Sequence, residues 1–413
     1  MRVLWLTNFP LPSVQEELGL ILNPKEGWLV QLSEEIAKRE DISLSIASPC
    51  DEVDSVDERI VNKIKYYTYP KRYVRNKKIS VFFENLKKES NPDIIHVQGS
   101  ENPYGLHWIE VCGADKVVVS IQGMPSAIVR YVTGGFSKWT LWKHTTLGDV
   151  IRNSNIVIEQ KEWIKRGIQE KKLLSSVKHI IGRTEWDRAH CWEINPKAEY
   201  HFCNETLRKS FYEHVWKYEE CTPHTIFLPQ ATVALKGTHK VIEACSIVKK
   251  FFPDVKIIVP LCANISNASF YDRLKRRNYG AILNHWLKKY HLTNNFIVKG
   301  KLSEQQMLDE FLHCNVFISP SCIENSPNTL GEAQLLGVPS FASYVGGTDV
   351  IADYGKATEL YRFEEIEVLA YKIVQLFQNG PDYDRLEYAR QLALKRHDLT
   401  TNLVTLVGIY KTI

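Results

Sequence analysis

Two doubly wound α/β domains are what this sequence of 413 residues predicts. The chain is too long for one ordinary hydrophobic core, so about two domains is the natural prior. Short apolar runs alternate with amphipathic helical stretches from end to end, the pattern of parallel sheets joined by crossover helices. That rhythm breaks at NETLRKSFYEHVWKYEECTP (204–223), which is polar and ends at Pro223.

The run RVLWLT (2–7) reads as the first strand and is too short for the core of a signal peptide. GWLVQLSEEIAKRE (27–40) has helical periodicity, and ISLSIAS (42–48) reads as the second strand. PDIIHVQG (92–99), KVVVSIQG (116–123) and KHIIGR (178–183) are further buried-strand runs. Beyond the break, HTIFLPQ (224–230), VKIIVPL (255–261), NFIVKG (295–300), NVFISPS (315–321) and VPSFAS (338–343) repeat the pattern. Helical periodicity returns at 364–379, 383–395 and 400–412. The expected division is residues 1–210, residues 224–395, and a last segment, 396–413, crossing back to pack on the first domain.

Hydrophobic residues make up 44% of the chain and charged residues 24%, the balance of a soluble globular protein. No run approaches the roughly 20 apolar residues needed to span a bilayer. A net charge of +4 over this length gives no case for nucleic acid as a partner. The nine cysteines form no CxxC pair, so reduced thiols and a cytoplasmic location are expected.

Ligands of doubly wound sheets bind beyond the carboxyl ends of the strands, and the motifs here follow predicted strands. SPSCIENSPNTLGEAQLLGVPS (319–340) sets Glu324 and Glu332 around a loop-to-helix junction. Thr329-x-x-Glu332 fits a capping box, and Ser326-Pro327 fits a cap followed by proline in the first turn. Capping accounts for Glu332 and leaves Glu324, whose charge at the end of a buried strand is costly without a hydrogen-bonding partner. A sugar or ribose diol offers two donors to one carboxylate. The amides of Asn328, Thr329 and Leu330 at the helix start suit a diphosphate. In FLPQATVALKGTHKVIEAC (227–245), Lys236-Gly237 precedes a helix, so its ammonium could meet a phosphate that the helix start attracts. The alternative is a solvated surface lysine.

The stretch 319–340, with Pro-Ser before its first acid, GEA around the second, and LLGVP and Gly346-Gly347 after it, resembles the Glu-x7-Glu signature of glycosyltransferase family 4. These are retaining enzymes of the GT-B fold, two Rossmann-like domains facing across a cleft. The resemblance implies that Glu324 contacts the donor sugar's hydroxyls and Glu332 the ribose. It puts the loop from Asn325 through Ser326 and Pro327 to Asn328 on sugar and phosphate oxygens, Val298 and Lys299 at the base pocket, and Lys236-Gly237 on the phosphates. Relatives often carry an arginine where this chain has Ala231. In the N-terminal half, Gln122-Gly123 stands where many relatives have a histidine near the reacting carbon. Glutamine can hydrogen-bond a sugar but cannot share a proton as imidazole does. Gly27, in Glu26-Gly27-Trp28, stands at the family's glycine-rich turn, where a phosphate or acceptor can approach the backbone. His96 closes another strand, as an acceptor-site residue or, as lone histidines more often are, a structural one. Arg183 either holds an acceptor phosphate or carboxylate or pairs with Glu185 or Asp187.

The activity so implied is retaining, metal-independent transfer from a nucleotide-diphosphate sugar, UDP favoured, to a glycan or polyprenyl-linked glycan in surface-polysaccharide biosynthesis. An epimerase or phosphorylase on the same scaffold, or a binding protein without turnover, stays open. Asp382-Tyr383-Asp384 has the metal-binding DxD pattern of another glycosyltransferase fold, but it follows Gly380-Pro381 and opens a helix, where aspartate is a good cap. The basic, aromatic tract KIKYYTYPKRYVRNKKISVFFENLKK (63–88) is either a solvated face or, with Trp139 and Trp142, a surface for the inner face of the cell membrane.

Overall fold

The apolar runs fold as strands of two sheets in the computed structural model, which describes residues 1–20, 27–75, 77–265 and 275–413. The chain forms two units, one of residues 1–127, 164–208 and 397–413, the other of residues 128–163 and 209–396. The division falls inside the polar break, at 208/209. Two segments depart from a simple halving, because 128–163 groups with the second unit and 397–413 with the first.

The first unit is built on β1 (Arg2–Leu6), β2 (Ser43–Cys50), β3 (Asp57–Val61), β4 (Ile64–Pro70), β5 (Ile94–Gln98), β6 (Val117–Ser120), β7 (His179–Gly182) and β8 (Glu199–Phe202). Their order is β3-β4-β2-β1-β5-β6-β7-β8, parallel except for the β3–β4 hairpin at one edge. Burial on both faces explains why β1, β5 and β6 read as continuous apolar runs. Leu4 and Leu6 of β1 point into one core with Ile95, Val97, Phe83 and Trp108. Val3 and Trp5 point into the other, with Ile46, Val118 and Ile181. The helix Leu399–Thr412 packs on that second face through Leu406, Val407 and Tyr410.

Among the described residues, the aromatic side chains of the tract 63–88 go largely into this unit's core, while Lys63, Lys71, Arg72, Arg75, Lys77, Lys78, Lys87 and Lys88 stay exposed. Tyr66, Tyr67, Tyr69, Phe82 and Phe83 are all buried. Several of its cations are neutralised: Lys65 pairs with Glu58 and Glu89, Lys71 with Asp51, and Arg72 with Asp54.

The second unit is built on β9 (Thr225–Phe227), β10 (Lys256–Val259), β11 (Phe296–Val298), β12 (Val316–Ser319), β13 (Ser340–Ser343) and β14 (Glu359–Tyr361). The sheet is parallel, in the order β11-β10-β9-β12-β13-β14. The order reverses between β9 and β12, and that switch point is where a doubly wound sheet binds its ligand. Segment 128–163 braces this end of the sheet. Gly134 adopts φ +67 and packs where a Cβ would stand 2.7 Å from that of Ala234. Its carbonyl accepts from His239 Nε2 at 3.0 Å.

Candidate active site

The loops after β9 and β12 hold the principal constellation. The chain leaves β9, turns through a short 3-10 helix (Ala234–Lys236), and enters the helix Thr238–Val248 at Gly237, whose φ of 68° is left-handed. The Cys322 amide donates to the Leu235 carbonyl at 2.8 Å, joining this loop to the one after β12. Gly237 is required by that closeness as well as by its φ. A Cβ there would overlap the Pro320 carbonyl oxygen and stand 2.7 Å from its carbon. Gly346, at φ +57, plays the same part on the other side, where a Cβ would overlap the Glu324 carbonyl oxygen. The Gly347 amide donates to that oxygen at 3.0 Å.

The two loops bring Lys236 and Glu324 together. Lys236 Nζ donates to Glu324 Oε1 at 2.6 Å, and Ser321 Oγ donates to the same oxygen at 2.6 Å. Both side chains are partly open to solvent, 26% and 17% respectively, so a ligand can reach the pair. The helix Asn328–Leu336 starts four residues after Glu324.

The expected capping box is not formed. Pro327 is the N-cap, with extended φ and ψ of −71° and 105°, and its carbonyl accepts from the Leu330 and Gly331 amides. Thr329 therefore lies inside the first turn rather than at the cap, and Glu332 in the second. Glu332 is buried, 4% exposed. Asn325, Pro327 and Leu330 are buried, and Ser326, Asn328 and Thr329 half-buried. Asp382 does cap, its carboxylate accepting from the Arg385 amide at 3.1 Å.

Val298 and Lys299 lie at the end of the edge strand β11, two strand spacings (roughly 10 Å) from the switch point. Val298 is the last residue of that strand and Lys299 follows it. Val298 is 44% exposed. Lys299 is paired with Glu310 at 2.8 Å and lines a groove of about 380 Å³ with Ile297 and Ile258. Ala231 is fully buried in a bridge with Cys262, its amide donating to the Leu261 carbonyl at 2.7 Å.

In the first unit, Gln122, Arg183 and Glu205 follow β6, β7 and β8 and form a closed triangle. Arg183 pairs with Glu205 at 2.5 Å and donates to Gln122 Oε1 at 3.2 Å, and Gln122 Nε2 donates to Glu205 Oε1. The guanidinium's carboxylate is thus Glu205 rather than Glu185 or Asp187, although the Arg183 amide donates to Asp187 Oδ2 at 3.0 Å, and Arg183 is only 4% exposed. Gln122, expected on the donor sugar, has both ends of its amide engaged within the fold. Gly123 accepts at its carbonyl from Ser100 Oγ at 3.2 Å. Gly27 opens the helix Gly27–Ala37, whereas Glu26 lies outside the described residues.

His96 is structural. Trp5 Nε1 donates to the Tyr410 hydroxyl at 2.9 Å, and that hydroxyl donates to His96 Nδ1 at 2.6 Å. Nε2, carrying the proton in this tautomer, donates to Ser120 Oγ at 2.6 Å. Burial pushes the imidazole down to about 3, so it stays neutral. Beside it lies a cavity of about 30 Å³, also lined by Gln98, Arg183 and Glu205, with room for one water.

Glu101 is an acid that motif reading passed over. It follows β5 at the switch point between β1 and β5. Asn8 Nδ2 donates to Oε1 at 3.3 Å, while Oε2 is buried without a partner. Burial raises its carboxyl from 4.5 to about 7, with Glu170 adding to the shift and Arg183 and Arg166 opposing it. The signal available was a glycine-rich turn carrying an acid just past a predicted strand. Glu205 offered none, since it lies in the polar break.

Among the described residues, one group could hold a metal: His179, Glu199 and His201 on β7 and β8, with ligand atoms within 4.8 Å of one another. The imidazoles stack and share a hydrogen bond of 3.0 Å. This group belongs to the first unit's sheet, whereas Lys236 and Glu324 belong to the second's.

Residues 219–392 match the family model for glycosyl transferases group 1, which marks that segment as a glycosyltransferase domain. Comparison with curated protein sequences gives no match. Among solved structures, the chain is similar to sucrose-phosphate synthase from Thermosynechococcus elongatus at 13% identity, covering 100% of this chain and 99% of the other with a TM-score of 0.73. It is similar to HepE of Anabaena, solved with UDP, at 13% identity over 100% of both chains and a TM-score of 0.66. A glycosyltransferase from Rickettsia africae matches at 15% identity, covering 100% and 98%, with a TM-score of 0.64. The fold is GT-B.

Proposed function

We propose that the chain is a retaining glycosyltransferase of family 4, moving a hexose from a nucleotide-diphosphate sugar, a UDP-sugar first, to a glycan or polyprenyl-linked glycan in surface-polysaccharide assembly at the inner face of the cell membrane. The observation that carries this reading is the Lys236–Glu324 pair at the switch point of the second sheet. Lys236 stands two residues before the helix Thr238–Val248, and Glu324 four residues before Asn328–Leu336. A diphosphate meets a cation and helix amides there, and a sugar hydroxyl meets the acid. That HepE has been solved with UDP-glucose favours a UDP-sugar as donor.

In this reading Lys236 leaves Glu324 for the diphosphate and stabilises the negative charge that grows on it as the glycosidic bond breaks. Glu324, released, accepts from donor-sugar hydroxyls and fixes the sugar's orientation. The departing phosphate takes the acceptor's proton on the same face, so configuration is retained. Lysine and helix amides meet the charge, and no metal is required. Ala231 and the engagement of Gln122 within the fold favour one second reading, a nucleotide-sugar-binding protein without turnover.

A panel of UDP-, GDP- and ADP-sugars, each with and without EDTA, separates the readings. Thermal stabilisation by one sugar class, unaffected by EDTA, with nucleoside diphosphate released only when an acceptor glycan is present, is the expected result. Stabilisation without product from any acceptor would favour the binding protein. Release of an altered free sugar without acceptor would point to an epimerase, and a trapped glycosyl-enzyme would overturn the same-face mechanism.

A further inference from the structure

The second unit carries an inverted pair of short helices, Lys138–Lys143 and Leu147–Ile151. Their inward side chains include Leu141 and the carboxylate of Asp149, 3% and 1% exposed. Their outward side chains are Trp139, Trp142, Leu147, Val150 and Ile151, each 66–75% exposed. An ordinary surface helix buries the apolar residues and exposes the acid. Fold stability does not account for the reversal, since it leaves five large apolar side chains within thirteen residues in water.

The patch is rigidly mounted. Asp149 closes a capping box with Thr146, and its carboxylate also accepts from the Asn278 amide at 3.2 Å. Asn278 Nδ2 donates to the Leu141 carbonyl at 2.6 Å, and Thr146 Oγ1 donates to the Arg276 carbonyl at 2.7 Å. Trp139 and Trp142 stack on each other with ring centroids 4.9 Å apart. Lys138, Lys143 and Arg152 are exposed around them, and the acid within 138–152, Asp149, is turned inward.

We propose that this face docks on an anionic lipid bilayer, with the tryptophans and Leu147, Val150 and Ile151 entering the headgroup–acyl boundary and the three cations meeting lipid phosphates. Tryptophan suits that boundary, and cations near an anionic surface add to the attraction. Charge decides against a second copy of the chain. A symmetric contact would set the cationic faces opposite each other with no exposed acid from 138–152 to pair with. The inference rests on the proposed function in one respect, since a polyprenyl-linked acceptor gives such docking its purpose.

The test is flotation of the full chain with vesicles of phosphatidylcholine alone and of phosphatidylcholine mixed equally with phosphatidylglycerol. Neither donor nor acceptor is present, so failure here leaves the transfer reading standing. The wild type should bind the anionic vesicles preferentially, with a blue shift in tryptophan emission. Trp139→Ser/Trp142→Ser and Val150→Ser/Ile151→Ser should each weaken binding at least about ten-fold. Lys138→Gln/Lys143→Gln should weaken it by about five-fold per cation at low salt, whereas Lys63→Gln/Arg75→Gln should leave it unchanged. All substituted side chains are exposed, so unfolding temperatures should stay put. Equal binding by wild type and both apolar variants, or none by the wild type, would overturn the proposal. So would a wild-type dimer that Trp139→Ser/Trp142→Ser converts to a monomer, because the face would then be a protein interface.

Discussion

Gly237→Ala tests how the site is assembled. Two costs add at this position. An L-residue held at φ +68 costs about 1–2 kcal/mol. The new Cβ also overlaps the Pro320 carbonyl, and overpacking of that kind costs about 1–3 kcal/mol more. Gly337→Ala isolates the first cost, because Gly337 has φ +76 with nothing within 4 Å of a Cβ. Urea unfolding should therefore place Gly237→Ala below Gly337→Ala by roughly 1–3 kcal/mol. Separating the loops also moves Lys236 away from Glu324, so Gly237→Ala should lose donor binding while Gly337→Ala keeps it. Equal stability of the two variants, with donor binding intact in both, would refute the claim that close approach of these loops builds the site.

Tyr410→Phe should cost about 1–3 kcal/mol in urea unfolding, because it strands Trp5 Nε1, while His96 Nδ1 keeps Gln98 Nε2 at 3.1 Å; a cost within experimental error would mean that this network does not hold the C-terminal helix. Glu205→Ala leaves Arg183 buried without its carboxylate and should destabilise by about 3–5 kcal/mol, a claim that unchanged stability would sink. Glu101 titrates near 7 folded and near 4.5 unfolded, so the folded chain holds the extra proton between those values and stability drains away as pH rises through them. Relative to the wild type, Glu101→Gln should thus gain roughly 3 kcal/mol between pH 4 and pH 8, and parallel stability–pH profiles would contradict that.

The strands that build both switch points were legible because burial on both faces turns them into continuous apolar runs, as in Val117–Ser120 and Val316–Ser319. The β3–β4 hairpin was not. Its turn residues Asn62 and Lys63 both take positive φ, 49° and 67°, without the glycine that usually marks such a turn. Lys63, Lys65, Tyr66 and Tyr67 then read as a surface, although the tyrosines point into the core. Strand β8 is four residues at a sheet edge, EYHF, with no apolar pattern to betray it. The Lys236–Glu324 pair was foreseen as two separate motifs. Their direct contact depends on β9 and β12 lying side by side, which sequence order alone does not dictate. The capping box failed for a local reason: Pro327 took the cap position and moved the helix start one residue ahead of Thr329.

The most direct test of the central claim is calorimetric titration of UDP and of UDP-glucose into the wild type, Lys236→Met and Glu324→Gln. Phosphate contact with Lys236 predicts that Lys236→Met weakens both ligands alike, by about 10- to 100-fold for a lost charged hydrogen bond. Sugar contact with Glu324 predicts that Glu324→Gln weakens UDP-glucose by a similar factor while leaving UDP unchanged or tighter, since its lysine is freed. If Lys236→Met weakened only UDP-glucose, or Glu324→Gln weakened UDP as much as UDP-glucose, the roles assigned to the pair would be wrong.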